Sequence, residues 1–83
     1  MSQEITGRVI KVMAAILHRD AASISPESTF EQLGLDSLDG IHVAFGLESE
    51  FDVDIPDEEL PKLKSVADIV NGIEELLARK GAV

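Results

Sequence analysis

Ile5, Val9, Val12, Met13, Ile16 and Leu17 recur at three- and four-residue intervals, which predicts a first amphipathic helix over roughly residues 3–17. A long connection follows from His18 to Asp36, with the turn formers Ser23, Ser25, Pro26, Ser28 and Thr29. Ile24, Phe30, Leu33 and Leu35 punctuate it and are the expected pins to a core, because so long a segment in a small domain needs anchoring. A second helix is predicted from about Ser37 to Phe51, with Asp36 as its cap and Asp39 in the place of a capping-box acid. Asp52 to Pro56 reads as a turn with Ile55 pointing inward, and Asp57 to Leu60 as one helical turn stopped by Pro61. The last helix starts at an N-cap, Ser65, with Asp68 three residues on. Val66, Ile69, Val70, Ile73 and Leu77 line one face, Arg79 and Lys80 suit the negative end of its dipole, and Gly81 is the expected C-cap. No strand pattern and no repeat interrupts this order. The expected fold is all-α: a small bundle of three main helices plus one short helix, forming one domain over residues 1–83.

The second helix is apolar on more than one side. At 100° per residue Val43, Ala44, Leu47 and Phe51 form one stripe, and Leu38, Ile41 and Phe45 form another, displaced by roughly 120°. One stripe suffices to bury a helix in a small bundle. The other is either covered as well or is an exposed docking surface beside Ser37. Gly40 and Gly46 lie inside the same helix, where each costs about 1 kcal/mol relative to Ala. One expectation is that Gly46 loosens the helix and widens a binding site.

Charge narrows the partners. Sixteen Asp and Glu against seven Lys and Arg give a formal balance of −9. Nucleic acid and anionic membranes repel such a surface, whereas basic protein patches attract it. Nine acids fall between Asp36 and Glu59, and no Lys or Arg lies between Arg19 and Lys62. The longest apolar run, Val12 to Leu17, is too short to cross a bilayer, and Arg8 and Lys11 interrupt any leader-like stretch. A cytoplasmic, monomeric protein is expected, and a start at Met1 without a linker suggests a freestanding one. The chain has no cysteine, so any thiol chemistry must come from a group added to it.

Residues that do chemistry alone are scarce. His18 and His42 are the only histidines, and neither has a partner at metal spacing. Asp52 and Asp54 begin like a calcium loop, but Asp57 stands where that loop needs glycine and Leu63 where it needs glutamate. Ser37 has no histidine base beside it. No catalytic residue and no metal site are expected.

The decisive segment is Leu33-Gly34-Leu35-Asp36-Ser37-Leu38-Asp39. It resembles the attachment site of acyl carrier proteins, a Gly-x-Asp-Ser-Leu motif at the start of a second helix. Phe30 before it, Glu48-Ser49-Glu50-Phe51 and Asp54-Ile55-Pro56-Asp57-Glu58 after it extend the resemblance over essentially the whole domain. The resemblance implies a 4′-phosphopantetheine arm on Ser37, next to Asp36, installed by a phosphopantetheinyl transferase. It implies that acyl groups ride on the arm as thioesters to acyl-loading, synthase and acyltransferase enzymes of fatty acid, polyketide or related synthesis. It places Leu38, Asp39, Ile41, Phe45 and Glu48, with Asp36, on the family's partner-recognition helix. His42 departs from the pattern, standing where common fatty-acid carriers have an acid. Physical chemistry agrees with the attachment: a serine in a helix's first turn lies near free N–H groups, and a phosphodiester there meets the positive end of the dipole. An aminoacyl carrier of D-alanyl or peptidyl type, or an unmodified helical interaction module, are the alternatives.

Overall fold

Val9 and Met13, one turn apart, are completely buried, and they set the face on which the first helix enters the core. The structure, a computed structural model, describes residues 2–81. It contains three α-helices: α1 (Ser2–Leu17), α2 (Ser37–Phe51) and α3 (Val66–Gly81), with 3₁₀ segments at Ala21–Ser23 and Asp57–Lys62. α1 packs against both α2 and α3. Val43 and Leu47 from α2 and Val66 and Ile73 from α3 close the core around Val9 and Met13. This is the expected all-α bundle.

The long connection is held down by its apolar residues and by backbone pairing. Ile24 and Leu33 are buried, and Phe30 and Leu35 pack partly against the core, as their spacing suggested. Thr29 and Ser65 form an isolated antiparallel bridge, in which Phe30 N–H donates to Lys64 O at 2.8 Å and Val66 N–H to Ser28 O at 3.0 Å. One bridged residue on each side is too little to read as a strand in sequence. Gly34, at φ 72°, makes the turn that feeds α2. His18 ends α1 in the left-handed region at φ 56°, a position that favours glycine.

Both expected caps form. Asp36 Oδ1 accepts from Asp39 N–H at 3.0 Å, and Asp39 Oδ2 accepts from Asp36 N–H at 3.3 Å, a complete capping box. At α3 Ser65 Oγ accepts from Asp68 N–H at 3.1 Å, while Asp68 Oδ2 reaches back to Lys64 N–H at 3.0 Å. α3 is still helical at Gly81, the residue expected to cap it. The 3₁₀ helix also differs from expectation, running through Pro61 to Lys62 instead of stopping at Leu60. Proline's fixed φ fits 3₁₀ geometry, and the segment forgoes one hydrogen bond while Leu63 N–H still reaches Leu60 O at 3.1 Å.

The structure gives Gly46 a role other than the one expected. A Cβ there would collide with Ile16 Cδ1 and lie 3.2 Å from Val12 Cγ1. Gly46 therefore permits close approach of α1 to α2, which offsets the helix-propensity cost, and it does not widen a site. The far end of α2 is fastened by Arg8, whose Nε and Nη2 each lie 3.0 Å from Glu50 Oε2 while the guanidinium stands 4.4 Å from the centroid of the Phe51 ring. Asp52, left-handed at φ 53°, caps α2 and binds Lys80 Nζ through Oδ2 at 2.8 Å and its carbonyl oxygen at 2.6 Å.

Two predictions follow from this packing. Gly46→Ala gains less than the roughly 1 kcal/mol that its helix propensity offers, because the new methyl group must displace the tip of the Ile16 side chain. Ile16→Val in that background recovers part of the shortfall, with a coupling on the order of 1 kcal/mol in a urea-denaturation double-mutant cycle. Additive effects would refute the contact. The hydrogen bond from Lys80, and then its charge, hold the Asp52 carboxyl below its ordinary value of 3.8. A lowered folded value means that this contribution to stability is present above pH 3.8 and is lost as pH falls through the folded value. Lys80→Met brings the Asp52 titration, followed by carboxyl-carbon NMR, back toward its ordinary value; an unchanged titration would contradict the pairing.

Candidate functional site

Ser37 is the first residue of α2 and is exposed. Among the described residues its hydroxyl has no hydrogen-bond partner. The capping box occupies Asp39 N–H, and the first intrahelical bond runs from Gly40 N–H to Asp36 O at 3.1 Å. The N–H groups of Ser37 and Leu38 belong to the unpaired first turn. A nucleophilic or esterified oxygen thus stands at the positive end of a helix, with two backbone donors nearby. This fits a covalently held phosphodiester, whose charge the dipole favours.

The two apolar stripes of α2 have different fates. Val43, Ala44, Leu47 and Phe51 are buried. Leu38 and Phe45 are 59% and 60% exposed, and Ile41 is half-buried. The bundle therefore does not cover the second stripe, and a large apolar surface begins beside Ser37. Asp36 is exposed and Asp39 half-buried on the same end of the helix. Glu48, also half-buried, is already engaged: its Oε2 accepts from Ile55 N–H at 2.7 Å, fastening the turn after α2. Three of the nine acids between Asp36 and Glu59 pair with cations of the chain itself, Glu50 with Arg8, Asp52 with Lys80 and Glu59 with Lys62. Among the described residues Asp36, Asp54, Asp57 and Glu58 are exposed and without a cation partner.

A cavity of about 940 Å³ lies between α2, the segment from Thr29 to Asp36, the 3₁₀ helix and the start of α3. Ser37 is on its wall, and Phe30, Ile41, Leu60, Leu63 and Ile69 give it an apolar lining. A smaller space of about 220 Å³ lies between the 3₁₀ helix and α3 and shares Leu63 and Ile69 with the first. Leu60 and Leu63 were not singled out from sequence. A 3₁₀ helix of one or two turns is too short for apolar periodicity to mark it. His18 and His42 are exposed, and among the described residues no three His, Asp or Glu side chains converge as a metal site. Among the same residues no helix is long and apolar enough to cross a membrane.

Residues 7–73 match the family described as the phosphopantetheine attachment site. The chain is 47% identical over 72 residues to an acyl carrier protein of Rickettsia bellii, covering 86% of this chain and 84% of that one. It is 42% identical over 76 residues to an acyl carrier protein of Picosynechococcus, covering 90% and 94%. The crystal structure of an acyl carrier protein from Thermotoga maritima superimposes with a TM-score of 0.84 at 27% identity, over 94% of this chain and 92% of that one. Agreement along nearly whole chains, in sequence and in fold, decides the matter: this chain belongs to the acyl carrier protein family and carries acyl groups on a covalently attached 4′-phosphopantetheine.

Proposed function

We propose that Ser37 bears the phosphopantetheine arm and that the exposed face of α2 presents it to partner enzymes. The observation that carries the attachment is the exposed, unpartnered hydroxyl at the first position of a capped helix. Membership of the family makes the protein a carrier that meets a phosphopantetheinyl transferase and acyl synthases. In our reading Leu38, Ile41 and Phe45 form the apolar centre of the docking face, and Asp36, Asp39 and Glu48 its acidic frame. Exposed apolar side chains ringed by acids suit a partner with an apolar pocket and a basic rim, since charge speeds encounter and buried apolar anchors supply most of the affinity. The chain works as a single freestanding domain, a monomer of the cytoplasm, and leaves catalysis to its partners. Its span over most of the length of the Rickettsia and Picosynechococcus relatives supports the single-domain reading. The cargo is an acyl group of fatty acid, polyketide or related synthesis rather than an amino acid.

Incubation with coenzyme A and a broad-specificity phosphopantetheinyl transferase adds one phosphopantetheine to the intact mass of the parent and none to Ser37→Ala. A gain in the variant would move the attachment elsewhere; no gain in a folded parent would remove it. Leu38→Ala and Phe45→Ala change folding stability by less than about 0.5 kcal/mol, because both side chains are exposed. They lower kcat/KM of a synthase or acyltransferase partner about tenfold or more, the effect of losing an interface anchor. Unchanged kcat/KM in both would refute the docking face.

A further inference from the structure

The exposed side of α2 is less acidic than its surroundings. Measured around the helix from Leu38 at 100° per residue, Phe45 lies about 20° to one side, with Ser49 about 20° and His42 about 40° to the other. All four residues are exposed. They form a strip about three turns long that begins beside Ser37 and contains no carboxylate.

The carboxylates of the helix stand off this strip and are bonded within the chain. Glu48 lies about 80° from Leu38 and accepts from Ile55 N–H at 2.7 Å. Asp39 lies about 100° away on the other side and closes the capping box. Glu50, about 120° away, holds Arg8. The unpaired acids Asp36, Asp54, Asp57 and Glu58 all precede or follow α2 in the chain. α2 has no Lys or Arg, so His42 is its only side chain able to carry positive charge. It stands one turn from Leu38 and one turn from Phe45, which makes it a neighbour of both on the helix surface. Among the described residues the imidazole has no hydrogen-bond or ion-pair partner.

A partner that covers Leu38 and Phe45 also covers His42 and takes its N–H out of water. A buried donor left without an acceptor weakens the complex. A Lys or Arg of the partner at that place fares worse, because it is buried against an imidazole and two apolar side chains with no carboxylate in the strip to pair with. A carboxylate there accepts from the imidazole and forms a charge-assisted hydrogen bond. The partner's cations belong at the periphery, where they meet the unpaired acids.

We propose that His42 selects the partner: the enzyme that docks on α2 carries a carboxylate opposite His42 at the centre of its apolar recess, and basic residues only at its rim. The same residue discriminates against enzymes with arginine or lysine at that centre. The proposal deepens the reading of α2 as the docking face and rests on it.

The probe is a condensing enzyme that docks acyl carrier proteins through a patch of arginines, together with variants in which each patch arginine is changed singly to glutamate. kcat/KM is measured with the full chain in its acyl-loaded form. With the natural enzyme His42→Glu raises kcat/KM about tenfold or more over the parent chain, and His42→Gln changes it less. One of the Arg→Glu enzymes reverses the order, raising kcat/KM for the parent chain about tenfold and lowering it for His42→Glu. His42 is exposed, so thermal unfolding finds both chain variants within about 2 °C of the parent Tm. Equal kcat/KM for the parent and His42→Glu, zero included, would overturn the proposal, and so would a set of enzyme variants none of which favours the parent. Unchanged kcat/KM for Leu38→Ala and Phe45→Ala in the same assay would instead overturn α2 as the docking face, a separate result.

Discussion

The close approach of α1 to α2 at Gly46 fixes the orientation on which the rest of the molecule depends. With Ile16 and Val12 of α1 lying against a residue without a side chain, α2 cannot rotate about its axis without a steric clash or the loss of that contact. The sides of α2 are then assigned. Val43, Ala44, Leu47 and Phe51 go into the core, Gly40 and Ile41 line the cavity, and Leu38 and Phe45 face solvent. A single helix thus contributes to the fold, lines the cavity and presents an exposed apolar face, and it does so because its apolar residues are spread over more of its circumference than burial requires.

The N-terminus of α2 joins these roles to the chemistry. Asp36 and Asp39 satisfy each other's backbone N–H groups, so the first turn is held rigid while the Ser37 hydroxyl and the neighbouring N–H groups remain outside the hydrogen-bonded network. The same two acids contribute to the negative field over this half of the molecule. Local structure and the negative field are therefore served by the same side chains, and replacing either acid would disturb both.

The wall opposite α2 is built from weaker elements. The Asp57–Lys62 segment buries none of its residues and is kept in place from its ends: Glu48 holds Ile55 on one side, and the bonds around Lys64 and Ser65 hold the other. A cavity bounded on one side by a well-packed helix and on the other by a short 3₁₀ segment has one wall of buried side chains and one held to the core mainly through Leu60 and Leu63.

The helices, both N-caps and the candidate serine were legible along the chain. These depend on local rules: 3.6-residue periodicity for α1 and α3, acid–backbone pairing at Asp36 and Ser65, and a contiguous motif around Ser37. Even the pins in the long connection were visible, since isolated apolar residues in a polar segment have few other uses. What required the tertiary structure was every question about a neighbour. The helical wheel left open whether Leu38, Ile41 and Phe45 were covered, because coverage depends on where α1 and α3 sit. It gave no means to distinguish Gly40 from Gly46, two glycines with the same local cost, because one faces Ile16 across a helix contact and the other faces Phe30 across a cavity. Nor did it show that Glu48 bonds to Ile55 N–H, that Thr29 pairs with Ser65, or that Leu60 and Leu63 line the cavity. Periodicity reports how a helix divides its surface, whereas the identity of what lies against each side is set by the packing of distant segments.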